Sequence, residues 1–412
     1  MADVAKKLLY VRPVAIQVDG PLLPAKLRVY DWSQMREATA RRARLSALIA
    51  AQAAVAAPTA GPLSIANSKA YAVREPVSKR QYAILRLETT SGIVGWGETR
   101  AIAAADLAQA TAILRGRQAT EHAALDVQLA ALPDLRAAAN IALLDIVGQA
   151  AKAPVYQVLG GPTRHKARAL AVVAGADDNA VLAACKRARA AGFRAFVIPA
   201  AAPAARNSGR PFVAANRQRM EALRAALGED SDFVVDCAAA LSPGDAASLS
   251  DALERLHPLW LDEPCELTTL SVTKLAGERV TPLGFGRSLT ASAGFQDLLR
   301  EDLIDVFRPD LARNGITQIR KFAALAEANY VAVAPYHDGG PVGTAAALHL
   351  AASLPNFFAQ QIPAPAADED RRFRAALAGA ALESVTDGYL ALPVKPGLGL
   401  KIDASLLGKE VA

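Results

Sequence analysis

The stretch from Asp232 to Pro363 contains short apolar runs that each end in a polar side chain. The runs are Phe233-Val-Val-Asp236, Leu259-Trp-Leu-Asp262, Pro282-Leu-Gly-Phe-Gly-Arg287, Ile304-Asp-Val-Phe-Arg-Pro-Asp310, Tyr330-Val-Ala-Val-Ala-Pro-Tyr-His337 and Asn356-Phe-Phe-Ala-Gln-Gln361. Their ends recur every 23 to 27 residues, which is room for one strand, one helix and two loops. Nearly continuous apolar strands that alternate with helices indicate a parallel sheet covered on both faces. The repetition therefore predicts an α/β fold with a (β/α)7–8 barrel of the TIM type.

The carboxyl ends of the strands of such a barrel converge on one mouth, where active sites lie. The residues predicted to be neighbours there are Asp236, Asp262, Arg287, Asp310, His337 and Gln361.

Composition excludes several classes of protein. The chain has 412 residues, of which 52% are hydrophobic and 21% charged, so it is globular rather than disordered. Its net charge of +6 is spread along the chain, which fits an ordinary basic surface or attraction of anionic substrates. The sequence contains no basic run interleaved with aromatic residues, which would indicate nucleic-acid binding. It also contains no apolar run long enough to span a membrane. The cysteines (Cys185, Cys237 and Cys265) are odd in number and far apart, which predicts a reduced, cytoplasmic protein.

Upstream of the barrel the sequence predicts an α+β domain. Residues 81–90 alternate with period two, Ser91-Gly92 forms a turn, and residues 93–98 return, which is typical of a β-hairpin. Helices are predicted over 103–115, 119–131 and 135–152. Residues 8–18 look like a strand, the Ala-rich residues 45–57 like an amphipathic helix, and residues 58–76 like a loop. The predicted boundaries are 1–162 for this domain, 163–363 for the barrel, and 364–412 for a C-terminal segment that returns to the first domain.

At this point the chain resembles the enolase superfamily, in its mandelate racemase and muconate lactonizing enzyme branch. The matching motifs occur in the family's order: Thr89-Thr-Ser-Gly-Ile-Val-Gly-Trp-Gly-Glu98, Ala142-Leu-Leu-Asp-Ile-Val-Gly148, Pro154-Val-Tyr-Gln-Val-Leu-Gly-Gly161, Val235-Asp236, Trp260-Leu-Asp-Glu-Pro264, Arg308-Pro-Asp310, Gly339-Gly-Pro-Val-Gly343 and Pro396-Gly-Leu-Gly399. The resemblance implies an α+β capping domain over the barrel, a homo-oligomer, and Mg²⁺ held by three carboxylates at strand ends. In that family the metal ion stabilises the enolate formed when a base removes the proton α to a carboxylate.

The metal motif is incomplete in this chain. The resemblance places the first ligand at Asp236 and the second at Asp262, with Glu263 as the alternative if the register slips by one residue. The third position falls on Arg287, and a guanidinium has no lone pair to offer a cation. A Mg²⁺ site is therefore expected to be weak at best. Our hypothesis at this stage is that Arg287 replaces the cation, neutralises Asp236 and Asp262, and offers N–H donors to a substrate oxyanion.

The acid–base motifs depart as well. The family's Lys-x-Lys pair falls on Val197 and Pro199, and its eighth-strand Glu falls on Gln361. Asp310 matches the Asp that pairs with a catalytic His, and that His is either replaced by Tyr336 or displaced to His337. The candidate catalytic residues are therefore His337, Asp310, Tyr336 and Arg287, and the candidate substrate-binding residues are Arg206, Arg210 and Gln361.

Three functions remain open from the sequence. The first is an enzyme that acts on a small carboxylate, a hydroxy or sugar acid, by dehydration or epimerisation. The second is a catalytically silent relative that holds a ligand without converting it. The third is different chemistry on the same barrel, centred on Tyr336, His337 or Cys237.

Overall fold

The structure is a computed structural model that describes residues 61–201, 209–278, 280–290, 292–364, 367–379 and 381–411. The chain divides into two units, residues 1–57 and 58–412. In the first unit only residues 40, 41, 43–45 and 47 are described, and they are helical. The predicted strand at 8–18 and most of the predicted helix at 45–57 lie outside the described residues. Within the described part of the chain, no helix is long and apolar enough to cross a membrane.

The cap begins with an antiparallel sheet of β1 (Ile65–Arg74), β2 (Gln81–Thr89) and β3 (Val94–Thr99). The hairpin of β2 and β3 is confirmed. The prediction of a loop at 58–76 is wrong for residues 65–74, because β1 pairs with β2 along its whole length. Its polar and small side chains conceal the strand in the sequence, since tertiary pairing outweighs β propensity here.

Helices cover this sheet, as the sequence predicts. They are α1 (Ala104–Leu114), α2 (His122–Gln128) after a 3₁₀ turn (Ala119–Glu121), α3 (Pro133–Ala150) and the short α4 (Val155–Val158). A side chain at Gly95 or Gly97 of β3 would collide with the carbonyl oxygens of Ala142 or Ala138 on α3. The Gly-Trp-Gly motif therefore allows strand and helix to touch.

Among the described residues, the barrel has eight parallel strands. They are β4 (Lys166–Val172), β5 (Ala195–Pro199), β6 (Asp232–Asp236), β7 (Trp260–Asp262), β8 (Leu283–Phe285), β9 (Val306–Phe307), β10 (Ala332–Val333) and β11 (Gln360–Pro363). Neighbours pair in chain order from β4 to β10, and β11 pairs with β4. Val333 of β10 bonds to Asn356 and Phe358 just before β11, which completes the ring. The predicted barrel is confirmed.

Each barrel strand is followed by a helix. The helices are α5 (Asp178–Ala190), α6 (Arg210–Leu227), α7 (Pro243–Leu253) with a 3₁₀ turn (Glu254–Leu256), α8 (Thr269–Ala276), α9 (Ser292–Arg300), α10 (Leu311–Glu327), α11 (Pro341–Ser353) and α12 (Asp368–Ala378). The sequence reveals α12 only as a polar stretch. Its Asp370, Arg374 and Leu377 are buried, so tertiary contacts define this helix.

The C-terminal segment contacts both domains. The hairpin of β12 (Val385–Thr386) and β13 (Tyr389–Ala391) extends the barrel sheet at β4. After a 3₁₀ turn (Ala404–Leu406), β14 (Lys409–Glu410) pairs with β1 in the cap. Residues 389–391 therefore pair with the barrel rather than with the first domain, whereas Lys409–Glu410 pair with the cap.

Candidate active site at the barrel mouth

The predicted strand-end residues Asp236, Asp262 and Arg287 converge at the carboxyl ends of the barrel strands. The cluster rests on a layer of inward-facing apolar side chains that includes Val197, Val234 and Trp260. The indole Nε1 of Trp260 donates to Asp262 Oδ1 over 3.0 Å. Trp260 of the barrel core thus holds the carboxylate of Asp262 in position.

Asp262 is fully buried and is held by two arginines. Nε and Nη2 of Arg308 donate to its two carboxylate oxygens over 2.9 and 3.1 Å. Arg287 donates to Oδ2 of the same group. Burial alone would raise the pKa of Asp262, but Arg308 and Arg287 outweigh it, so the pKa lies below its ordinary value. Asp262 is therefore an ionised anchor for two cations.

Arg287 contacts two carboxylates at the mouth. Its Nη2 lies 3.1 Å from Asp236 Oδ2 and also contacts Asp262. Its guanidinium carbon lies 4.5 Å from the centre of the Tyr336 ring. Burial lowers the pKa of Arg287, but Asp262 and Asp236 raise it more, so the net shift is upward. The predicted bridge between Asp236 and Asp262 through Arg287 is present.

Arg308 is a second buried cation, which the sequence analysis treated only as part of a motif. Its Nη1 donates to the carbonyl of Ala334 over 2.5 Å, and its Nη2 donates to Gln361 Oε1. Nε2 of Gln361 donates to the carbonyl of His337 over 3.3 Å. Gln361 is 2% exposed, so it supports Arg308 and is not placed to bind substrate.

Glu263 does not complete a metal site. Its backbone has a positive φ of 43°, and its Oε1 accepts hydrogen bonds from Gly286 N and Arg287 N over 2.7 and 2.8 Å. Burial raises the pKa of this carboxyl. No group of three or more His, Cys, Asp or Glu side chains that could hold a metal ion occurs among the described residues. Asp236, Asp262 and Glu263 therefore do not fit a Mg²⁺ ion, because guanidinium and backbone donors occupy the oxygens that it would need.

Asp310 and Tyr336 lie on adjacent strand ends, joined by a parallel bridge. Asp310 caps α10, where its Oδ1 accepts from Ala312 N over 2.9 Å, and its Oδ2 pairs with Arg100 from the cap. Burial raises the pKa of Asp310 to about 6 and that of Tyr336 to about 12. One group is thus ionised at neutral pH while the other keeps its proton, which is the pattern of a base and an acid.

Arg100 is a candidate site residue that sequence reasoning missed. It directly follows β3, and its side chain is 51% exposed while Asp310 beneath it is buried. The only signal in the sequence is its position just after the hairpin motif.

The structure does not join His337 to Asp310. The imidazole Nε2 of His337 lies 3.1 Å from Gly340 O and 3.2 Å from Thr344 Oγ1. Burial, and then Arg374, lower its pKa to about 4. Successive residues after Pro335 point in different directions, so Tyr336 faces the mouth and His337 faces away. We therefore remove His337 from the set of candidate catalytic residues.

His337 belongs to a buried polar network between the cap and the barrel. Thr344 donates to Glu383 over 2.6 Å, and Arg374 joins Glu383 to Glu75 of the cap. Glu98, at the end of the hairpin motif, accepts from Val342 N and Gly343 N at the start of α11 over 3.1 and 3.0 Å. Burial raises the pKa of Glu98 to about 7. The motif therefore docks the cap on the barrel.

The remaining candidates lie elsewhere. Arg210 is exposed at the start of α6, and Arg206 lies outside the described residues. Cys237 is buried, and burial raises the pKa of its thiol well above the ordinary value. A thiol in that state is a poor nucleophile, so the geometry gives no support to chemistry centred on Cys237.

Comparison with known families gives two matches. Residues 70–160 match the N-terminal domain of the mandelate racemase / muconate lactonizing enzyme family, and residues 180–406 match the enolase C-terminal domain-like family. Members of the enolase superfamily generally use Mg²⁺.

Two similar relatives are named as dehydratases. The D-galactonate dehydratase of Verminephrobacter eiseniae is 30% identical over 79% of this chain and 90% of its own length. The D-xylonate dehydratase of Haloferax volcanii is 28% identical over 64% of this chain, and the match spans 66% of that protein, just under two thirds.

Solved structures agree with the fold. A mandelate racemase/muconate lactonizing enzyme-like protein from Roseovarius sp. TM1035 has a TM-score of 0.74 at 25% identity, covering 83% of this chain and 94% of that one. A mandelate racemase/muconate lactonizing enzyme from Sulfitobacter sp. has a TM-score of 0.75 at 24% identity, covering 84% and 94%.

Proposed function

Because the chain belongs to the mandelate racemase and muconate lactonizing enzyme branch of the enolase superfamily, we propose that it dehydrates a sugar acid with a fixed arginine at the position of the family's metal ion. The choice of dehydration rests on the relatives named D-galactonate and D-xylonate dehydratase. The observation that carries the proposal is the guanidinium of Arg287 between Asp236 and Asp262.

Arg287 supplies positive charge where the reaction develops negative charge. Removal of the proton α to a carboxylate places charge on two oxygens, and N–H donors held in place stabilise such charge without reorganisation. The ion pairs with Asp236 and Asp262, and the ring of Tyr336, hold the guanidinium in one position. Arg287 is a donor that keeps its proton, so it acts by electrostatic stabilisation and not as an acid.

Asp310 and Tyr336 supply the proton transfers in this proposal. Asp310 accepts the α-proton, and Tyr336 donates a proton to the β-hydroxyl, which leaves as water. The resulting enol tautomerises to a 2-keto-3-deoxy acid. The exposed guanidinium of Arg100 lies beside Asp310 and is suited to bind the substrate carboxylate in bidentate fashion. That contact would place the α-carbon near the base.

The test is turnover without divalent metal. Protein stripped with a chelator is incubated with D-galactonate or D-xylonate, and the keto-deoxy acid is followed by proton NMR. We expect product in the presence of the chelator, and Arg287→Met should lower kcat by about 10²–10³-fold. The matched control is Arg217→Met, which removes an arginine from the exposed pair with Glu221 on α6 and should leave kcat unchanged.

Two results would contradict the proposal. Product that forms only after Mg²⁺ is added would mean that Arg287 does not replace the metal. Saturable binding of these acids without product and without exchange of the α-proton in D₂O would favour the silent ligand-binding alternative, for which the relatives give no support.

A further inference from the structure

A cavity lies between α5 and α12, beside the carboxyl ends of β4 and β11. It has a volume of about 660 Å³. Its floor is formed by Val172 and Pro363 at the ends of β4 and β11, and residues 381–385 form another wall. No mouth residue, from Asp236 to Tyr336, lines it. The cavity is therefore separate from the proposed active site.

Its size and its walls are those of a small-molecule site. Ligand cavities usually measure about 300–1,000 Å³ and are mostly apolar, with a few placed polar groups. One wall is the inner face of α5, where Ala184 and Ala188 are small, and Phe193 follows the helix. These small side chains leave room for an apolar body.

The polar lining is rich in arginine. Arg80, Arg187, Arg371 and Arg374 line the cavity, with Glu383 as the carboxylate among the lining residues. Arg374 is occupied, because it donates to Glu75 and Glu383 over 2.5 and 2.7 Å. Arg371 pairs with Asp368.

Two donors on this lining remain available. The guanidinium of Arg187 forms no ion pair or hydrogen bond with any described residue, although the backbone carbonyl of Arg187 accepts from Ala191 N. Nε of Arg80 is buried without a hydrogen-bond acceptor among the described residues, although it lies 3.8 Å from Glu75 Oε2 and Nη1 of the same group pairs with Asp338. A buried donor without an acceptor costs free energy. Both donors suit a carboxylate, the anion that guanidinium groups bind best.

We propose that this cavity binds a small organic acid, with its apolar body on α5 and its carboxylate on Arg187 and Arg80. The proposal goes beyond the sugar-acid site and does not depend on it. The occupant is amphipathic and anionic, because about two thirds of the described lining residues are apolar and the lining carries four arginines with one carboxylate. A polyhydroxy acid fits the mouth instead, where charged groups dominate.

The probe is anilinonaphthalene sulfonate, an amphipathic anion that fluoresces in apolar surroundings. We expect one saturable site per chain. Ala184→Phe fills the cavity and should abolish this binding, while Ala183→Phe makes the same change on the exposed face of α5 and should not. Arg187→Gln lies at the exposed edge of the helix, so it should fold normally, and it should weaken binding about tenfold or more. Arg217→Gln is the matched control.

Competition with a second ligand separates the contribution of charge to probe binding from that of apolar contact. Octanoate should displace the probe, and octanol at the same concentration should displace it less. The proposal fails if the wild-type protein shows no saturable binding, if Ala184→Phe binds as well as Ala183→Phe, or if octanol competes as well as octanoate. Because no mouth residue is changed, dehydration of sugar acids should persist in every variant, so a failure here is distinct from a failure of the proposed function.

Discussion

Arg287→Glu should convert the barrel mouth into a binding site for divalent cations. In the wild-type protein the guanidinium of Arg287 contacts Asp236 and Asp262. The variant removes this cation and places a third carboxylate at the same strand end. Three carboxylates repel one another unless a cation offsets them, so the empty variant is destabilised and the loaded variant is not.

The size of the effect follows from mass action. A ligand at 100 times its dissociation constant stabilises the folded state by about 2.7 kcal/mol. For a protein of 150–250 residues, 1 kcal/mol changes Tm by about 2–4 °C, which gives a rise of about 5–10 °C. We expect the lower end of this range, because this chain is longer. Arg308 also remains on Asp262, so a rise in Tm is expected only at millimolar Mg²⁺.

The assay is thermal unfolding with and without Mg²⁺, repeated with Mn²⁺. The wild-type protein and Arg287→Met, which removes the cation without adding a carboxylate, should show no metal-dependent change in Tm. Arg287→Glu should show the rise. If Arg287→Glu ignores both metals, or if the wild-type protein is stabilised as much as the variant, then Arg287 does not stand where the metal would.

Three further predictions concern single buried groups. Arg308→Met should lower the free energy of unfolding by about 3–5 kcal/mol in urea titrations, because it leaves the buried charge of Asp262 with fewer partners. Adding Asp262→Asn to this variant should recover part of the lost stability. A loss below about 1 kcal/mol in Arg308→Met would contradict the prediction. If Asp310 is the base, kcat/KM should rise with pH through about 6, since the ionised form accepts the proton, and a flat profile over pH 5–8 would exclude that role. Burial raises the pKa of Glu98 to about 7 in the folded state, so the stability contributed by its protonated form should be lost as pH rises from about 4.5 to 7. Glu98→Gln should remove this pH dependence, and an unchanged dependence in chemical unfolding would show that another group titrates.

The barrel and part of its mouth could be predicted from the sequence. The barrel follows from the regular spacing of the strands, and the mouth follows because all the strands run in the same direction. Strands that recur every 23 to 27 residues leave few folds to consider, and their carboxyl ends meet whatever the loops do. That is why Asp236, Asp262 and Arg287 meet as predicted.

Contacts between distant segments could not be predicted. Arg100 reaches Asp310 across 210 positions of sequence, and Arg374 reaches Glu75 across 299. Strand β1 and helix α12 were missed for the same reason. Their local sequence patterns are weak, and contacts with distant parts of the chain stabilise them. His337 shows a different limit of prediction from sequence. Tyr336 and His337 both looked functional, and only the backbone direction after Pro335 decides which of the two side chains faces the mouth.

The hydrogen bonds that Asp262 accepts indicate that the misfit with a divalent metal ion involves the whole cluster and not one substitution. A carboxylate offers about four acceptor positions, and Asp262 receives four donors: Nε and Nη2 of Arg308, Nε1 of Trp260, and Nη2 of Arg287. Gln361 is neutral where the family has a Glu, and it accepts from the same Arg308. A cation could not approach Asp262 in the wild-type protein without displacing one of these donors. Any enolate formed in this mouth would therefore have to be stabilised by a guanidinium that is already fixed in place, which is why chelator-resistant turnover is the decisive property of this site.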